Sequence, residues 1–329
     1  MPSPQGAPFR RTRRPPIIRA FATTSPLANR MQDAAPLPWY SYVLWPALMV
    51  ACISITALGV GTERDLVYFN AAYLLLIVSL LVFEWRTPHE PAWQRNDGQT
   101  FANIAHTLSS KGVVQGLLLF SAYVGLSTLV TPVAEPHDGL WPRHWPMWAQ
   151  ASLALVIAEF PMYWAHRISH EWPPLWRFHA IHHSVTRLWI VNTGRFHVVD
   201  SLISIVGAAG ILIVLGAPME VLKWLGAITA FIGMLTHCNV RMGFGPLSQV
   251  FNTPELHRWH HSRRPEEGNS NYGQNLMLWD QLFGTYLRPA RTPPVDIGIN
   301  EPMPPTFLRQ LAWPFRRAAD ELTNRSPAG

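Results

Sequence analysis

Two apolar stretches near the amino end limit what this chain can become. The first runs from about Trp39 to Gly61 and the second from about Leu66 to Trp85, with only the polar turn Thr62 to Asp65 between them. A helix needs about 20 apolar residues to cross the hydrocarbon core of a bilayer, and each stretch is that long. A third segment runs from about Phe101 to Val130. It is long for one crossing, so a kink or tilt is expected near Gly112 or Gly116. A fourth runs from about Met147 to Ala165. A last pair, about Ser201 to Gly216 and Val221 to Thr236, turns at Ala217 and Pro218, and Glu220 and Lys223 shorten its second arm. This pair is expected either to cross as a hairpin or to dip in and return. Of 329 residues, 48% are hydrophobic and 14% charged, against roughly 25% charged in a typical soluble domain. The expectation is an all-α membrane protein, a transmembrane helix bundle.

The formal charge of +6 is weighted to the amino end, where Arg10, Arg11, Arg13, Arg14, Arg19 and Arg30 precede the first acid, Asp33. Residues 1–38 read as a basic disordered tail, with a transit peptide as the alternative. Such a tail would also hold the amino terminus in the cytoplasm. Four crossings then return the chain to that side at His166. The loops at 62–65 and 131–146 fall outside with one arginine each, Arg64 and Arg143. Trp39, Trp85, Trp145 and Trp148 mark expected span ends, where indoles favour the interface. Residues 39–288 read as one membrane-embedded domain and 289–329 as a carboxy-terminal tail. Cys52 and Cys238 read as buried free thiols. No nucleic-acid partner is expected.

The chain has 14 histidines, and eight fall into three groups: His166 and His170, then His179, His182 and His183, then His257, His260 and His261. The second and third groups share the spacing H-x-x-H-H. Residues at i, i+3 and i+4 share a helix face. His166 and His170 stack where the fourth helix leaves the membrane, and Pro173 and Pro174 end that helix. For the third group, Thr253 is the expected N-cap, Pro254 the first helical residue and Glu255 the first-turn acid. Neutral imidazole binds Fe, Zn, Cu or Ni. Eight nitrogens exceed one tetrahedral ion, and two metals with four or five each would use them. The expected fold therefore carries a histidine-rich helical cap on the cytoplasmic side that holds a dimetal site.

The order HxxxH, HxxHH, hydrophobic hairpin, HxxHH resembles the fatty acid hydroxylase / sterol desaturase superfamily. The flanking residues match as well: E159-F-P-M-Y163-W-A-H166-R, R195-F-H197, H237-C-N239, T253-P-E-L-H-R-W-H-H-S262, N271-Y-G-Q-N275 and W279-D-Q-L-F-G-T285. The resemblance covers roughly residues 66–288. The family often has proline after the position of His197, where this chain has Val198. The resemblance implies two iron ions as cofactors, with zinc able to replace them in a preparation, and O2 as co-substrate. The implied activity is hydroxylation of a lipid of sterol, fatty acyl, carotenoid, alkylglycerol or ornithine-lipid type. Desaturation is the alternative within the family, and a non-enzymatic membrane metal-binding protein the alternative outside it. The chain shows no cytochrome b5 domain, dinucleotide loop or CxxC cluster. A separate electron donor is therefore expected: a ferredoxin, a cytochrome b5 or a reductase.

His237, which ends an apolar span on the same side, is the expected ninth ligand. His197 is a tenth candidate, or a residue that orients a ligand. Glu159, Tyr163, Asn239 and Asp280 are candidates for hydrogen bonds that orient imidazoles. For Asp280 a helix cap or a bond to the backbone, and for Tyr163 plain aromatic packing at the helix end, are the alternatives. Asn103 and His106 share a face of the third helix just inside the membrane, where polar groups are functional candidates. They are expected to touch a substrate head group or to form a helix–helix hydrogen bond. Arg258, Arg263 and Arg264, flanking the third group, are expected at a solvated surface. His89, His137 and His144 lie in loops and read as solvent histidines.

Overall fold

A computed structural model describes residues 37–123 and 139–323, with side chains except at 113–123 and 317–323. The expected crossings appear as α1 (Tyr40–Gly59), α2 (Asp65–Arg86), α3 (Thr100–Tyr123), α4 (Met147–Glu171), α6 (Val198–Val214) and α7 (Met219–His237). Between α4 and α6 lies α5 (Pro173–His183), and beyond α7 lies α8 (Pro254–His260). The basic tail, the last part of the third apolar segment and His137 fall outside the described residues. Among the described residues no strand forms, only isolated bridges.

Among the described residues, α1, α2 and α7 are long and apolar enough to cross a bilayer; α6 is apolar but shorter, at 17 residues. Helices α3 and α4, expected as crossings, fall short because their inner faces are polar. Asn103, His106 and Ser110 are buried on α3, and Gln150, Glu159 and His166 on α4. Helix α2 shows how the apolar helices are used. Ala72, Leu76 and Leu80, four residues apart, are fully buried, while Leu66, Val67, Leu74 and Val78 remain exposed. The buried face packs on α1 and α7 with Trp45, Cys52, Phe231 and Leu235, while α4, α6 and α7 share a second core of Ala154, Ala158, Leu212 and Val221. Both cysteines are free and buried, as expected.

The helix boundaries follow the local signals. Pro173 and Pro174 separate α4 from α5, and Pro173 opens α5 as its first residue. Pro254 opens α8, and Glu255 in its first turn meets Arg288 Nη2 at 3.0 Å. Thr253 precedes α8 in an extended conformation but does not cap it with its side chain. Its hydroxyl pairs instead with that of Ser248, at 2.8 Å. The segment 289–329, expected as a tail, contains a further helix, α9 (Phe307–Thr323). Gln310 of α9 is buried and faces His106 Nε2 at 3.1 Å.

Two buried charged residues fix the loops beneath the bundle. Glu84 Oε1, near the end of α2, accepts from Ile190 N and Asn239 N, both at 2.9 Å. Arg258 is buried, unlike the surface residue expected, and donates through Nη2 to Cys238 O and Val240 O at 2.9 and 3.2 Å. Burial lowers its guanidinium to about 10. Arg263 is likewise engaged, donating to Ile297 O and Ile299 O. His89 is half-buried and its N–H donates to Asn239 O at 3.0 Å, whereas His144 is exposed as expected. A Glu84→Leu variant leaves two buried N–H groups without acceptors, each worth about 1–3 kcal/mol. Its unfolding temperature in detergent should fall clearly below that of wild type, measured by thermal-shift fluorescence.

Candidate metal centre

The three histidine groups and His237 meet at one end of the bundle and sort into two clusters. One holds His166, His170, His179, His183 and His260; the other holds His182, His237, His257 and His261. Within each, the candidate ligand nitrogens lie within 4.8 Å of one another. The H-x-x-H-H spacing explains the sorting. On α5 the i,i+4 pair His179 and His183 faces the first cluster, and His182 faces the second. On α8 the pair His257 and His261 faces the second cluster, and His260 the first. The two motifs thus split in opposite senses, and the clusters abut where His183 stacks on His261, ring centroids 4.4 Å apart.

Protons decide what these rings can do. A carbonyl oxygen only accepts, so a ring nitrogen bonded to one must carry the hydrogen. His166 Nδ1 donates to Tyr272 O at 2.6 Å and His260 Nδ1 to Ser270 O at 2.7 Å. His182 Nδ1 donates to Arg195 O at 3.3 Å and His237 Nδ1 to Gly233 O at 3.0 Å. His179 Nδ1 donates to Asp200 Oδ2 at 2.9 Å. In each neutral ring Nε2 is left as a bare lone pair. The Nε2 atoms of His166, His179 and His260 are buried and have no protein partner. His182 Nε2 and His237 Nε2 lie 3.4 Å apart, and neither has a hydrogen to share. His257 Nε2 is 3.0 Å from the Nε2 of both His237 and His261, and His170 Nε2 is 3.1 Å from His183 Nε2. The bare lone pairs of His182 and His237 repel unless a cation lies between them. Two nitrogens bound at right angles to one ion at about 2.1 Å are about 3.0 Å apart, and about 3.4 Å in a tetrahedron. The observed spacings match a metal-ligand set. Burial also holds His182, His183, His257, His260 and His261 well below the ordinary imidazole range, so they stay neutral and able to ligate.

The orienting groups differ from those expected. None of Glu159, Tyr163, Asn239 and Asp280 hydrogen-bonds an imidazole. Glu159 accepts from Asn275 N at 3.0 Å and Asn275 Nδ2 at 2.9 Å, and also from Gln274 N. Asp280 accepts from Tyr272 N at 2.8 Å and Gly273 N at 2.7 Å. Both pin the 272–275 loop, which presents Tyr272 O to His166. Gly273 is required there, because a Cβ would lie 2.2 Å from Leu276 O. Tyr163 bonds Thr285 Oγ1 at 3.0 Å, while Asn239 bonds Glu90 at N and O. The direct acid is Asp200, missed in the sequence; its signal is an acid inside an apolar run, three residues after His197. His197 joins neither cluster. Its Nδ1 accepts from Val199 N at 3.1 Å and caps α6. Asn103 Oδ1 accepts from Arg195 Nη1 at 2.7 Å, and His106 meets Gln310, so both make contacts between elements.

A cavity of about 490 Å³ opens beside the clusters and is lined by His166, His179, His182, His237 and His257, but by neither Asn103 nor His106. Two adjoining clusters of buried imidazoles that could each hold a metal ion thus lie beside this cavity, in a bundle with helices long and apolar enough to cross a membrane. The fatty acid hydroxylase family model matches residues 151–285. Ornithine lipid hydroxylase OlsE of Rhizobium tropici is 48% identical over 290 residues, 87% of this chain and 88% of the relative. An alkylglycerol monooxygenase of Danio rerio is 30% identical over 239 residues, 72% of this chain but 51% of that longer protein. A Delta(7)-sterol 5(6)-desaturase of Aspergillus fumigatus is 29% identical over 255 residues, 73% of this chain and 66% of the relative. No solved structure matches the chain. The protein belongs to the fatty acid hydroxylase family, and it is an oxidoreductase.

Removing a partner that holds a ligating histidine typically costs 10–100-fold in metal affinity. Asp200→Asn should therefore weaken metal binding about 10–100-fold, read by chelator competition, while His197→Ala should retain wild-type metal content.

Proposed function

We propose that this protein hydroxylates an ornithine lipid, using two iron ions and O2 at the cytoplasmic face of the membrane. The observation that carries this reading is the pair of imidazole clusters, with their bare nitrogens, at the end of a largely apolar cavity. The similarity to OlsE, which extends over most of both chains, supports the lipid class. Five nitrogens from α4, α5 and α8 would hold one iron, and four from α5, α7 and α8 the other.

Iron so held supplies O2 activation: one oxygen enters a C–H bond, and the other leaves as water with two electrons and two protons. The electrons come from a separate donor: a ferredoxin, a cytochrome b5 or a reductase. The chain's own part is to hold and shield. Backbone carbonyls of Tyr272, Ser270, Arg195 and Gly233 and the Asp200 carboxylate fix the tautomer and the direction of five rings. Apolar walls keep bulk water from the reacting carbon, and the membrane lets the rest of the lipid stay in a hydrocarbon environment. Loss of two hydrogens in place of oxygen insertion remains the second reading, favoured by the similarity to sterol desaturases.

Membranes of a host that makes ornithine lipids, expressing wild type or His182→Ala, separate these outcomes by lipid mass spectrometry. The expected result is an ornithine lipid heavier by one oxygen with wild type, and no such product above background with membrane-inserted His182→Ala. A lipid lighter by two hydrogens assigns desaturation. Wild-type product from the variant contradicts the metal role of His182.

A further inference from the structure

The cavity is long, and one helix lines it from end to end. Leu222, Gly226, Thr229, Ala230, Gly233 and His237 of α7 all border it. Leu222, Gly226, Thr229, Gly233 and His237 recur at three- and four-residue steps, so one face of α7 forms the wall. From His237 to Leu222 the wall extends about 22 Å at 1.5 Å per residue. Across from it, α6 contributes Ser201, Ser204, Ile205, Ala208 and Ala209, again one face of a helix. The lining includes Asp200, Ser201, Ser204 and Gln274, and, farther along α6 and α7 from the histidines, Ile205, Ala208, Leu222 and Leu225. At the histidine end the buried Nε2 atoms of His166 and His179 have no protein partner. Lys111, which also borders the cavity, is exposed, with Nζ 5.7 Å from the centre of the Tyr73 ring.

The width is set by what is missing. A Cβ built on Gly226 meets no atom within 4 Å, and one on Gly233 meets only Thr193 Cγ2 at 3.8 Å. Among the described residues no atom takes the place of a Cβ at either position, and both border the cavity. We infer that α7 is a chain gauge: an unbranched alkyl chain of the substrate lies along its Gly226–Gly233 face, and Gly226 sets how long a chain fits beyond the reacting carbon. Gly226 lies about 16 Å along α7 from His237, so a large residue there shortens the groove without reaching the histidines. This inference rests on the lipid reading above but makes its own prediction about length.

The test uses the full chain, wild type, Gly226→Leu and Gly210→Leu, each purified in detergent after exposure to ornithine lipids with lauroyl, palmitoyl or stearoyl chains. Gly210 is the control: it too has no atom within 4 Å of a built Cβ, it lies on apolar α6, and it does not border the cavity. Retained lipid is measured by mass spectrometry, and hydroxylated product in membranes separately. In Gly226→Leu the ratio of retained stearoyl to lauroyl lipid should fall about tenfold or more, as when two or more methylenes lose their burial. The product ratio should follow, and Gly210→Leu should match wild type. A wild-type length profile in Gly226→Leu, equal loss of all lengths, or the same shift in Gly210→Leu overturns the gauge. So does a wild type that retains no lipid in a length-dependent way. A wild type that shows the length dependence of retention but forms no product leaves the gauge standing and defeats the hydroxylase reading.

Discussion

Nine imidazoles packed at one end of a helix bundle are a costly arrangement unless each nitrogen has a task. The structure gives most of these rings a hydrogen-bond acceptor for Nδ1, and this turns Nε2 inward as a bare lone pair. The acceptors are mainly main-chain oxygens: Tyr272 O, Ser270 O, Arg195 O and Gly233 O. Carbonyls cannot donate, so the tautomer is fixed by the path of the backbone. The lone pairs of His182 and His237, facing at 3.4 Å with no hydrogen between them, call for a cation. Helix directions, loop shapes and buried carboxylates all serve this one electrostatic demand.

The loops carry as much of the burden as the helices. Glu159 and Asp280 do not touch a ring, yet both accept from backbone N–H groups of the 272–275 loop. That loop lacks room for a Cβ at Gly273 and carries the carbonyl that orients His166. Glu84 does similar work on the other side, tying the Ile190 turn and Asn239 to α2. Outer-shell contacts of this kind hold ligand geometry through rigid surroundings. The chain therefore spends these buried polar residues on the scaffold of the site, while its apolar helices leave apolar faces exposed.

Local patterns made much of this visible in the sequence. Apolar length marked the helices, Pro173–Pro174 the break between α4 and α5, and Pro254 the start of α8. The H-x-x-H-H spacing marked three imidazoles on one face of each short helix, but not that His182 and His260 would join a different cluster from their i,i+4 neighbours. What stayed hidden depends on residues far apart. Asp200 reads as an ordinary first-turn acid until α6 packs beside α5 and brings it to His179. Arg258 reads as a surface charge until the chain after α7 folds back beneath it. Glu159 and Asn275 are 116 residues apart, and no local pattern relates them. Thr253 illustrates the opposite case: a strong capping signal whose hydroxyl is taken by a neighbour, Ser248.

The proposed function requires an iron ion in each of the two clusters of imidazole nitrogen. The most direct measurement is Mössbauer spectroscopy with iron quantification on protein purified from cells grown on isotopically enriched iron. Two irons per chain in nitrogen-rich, magnetically coupled sites are predicted. One iron per chain, or two with no coupling and no loss of signal in the His182→Ala variant, would contradict the account.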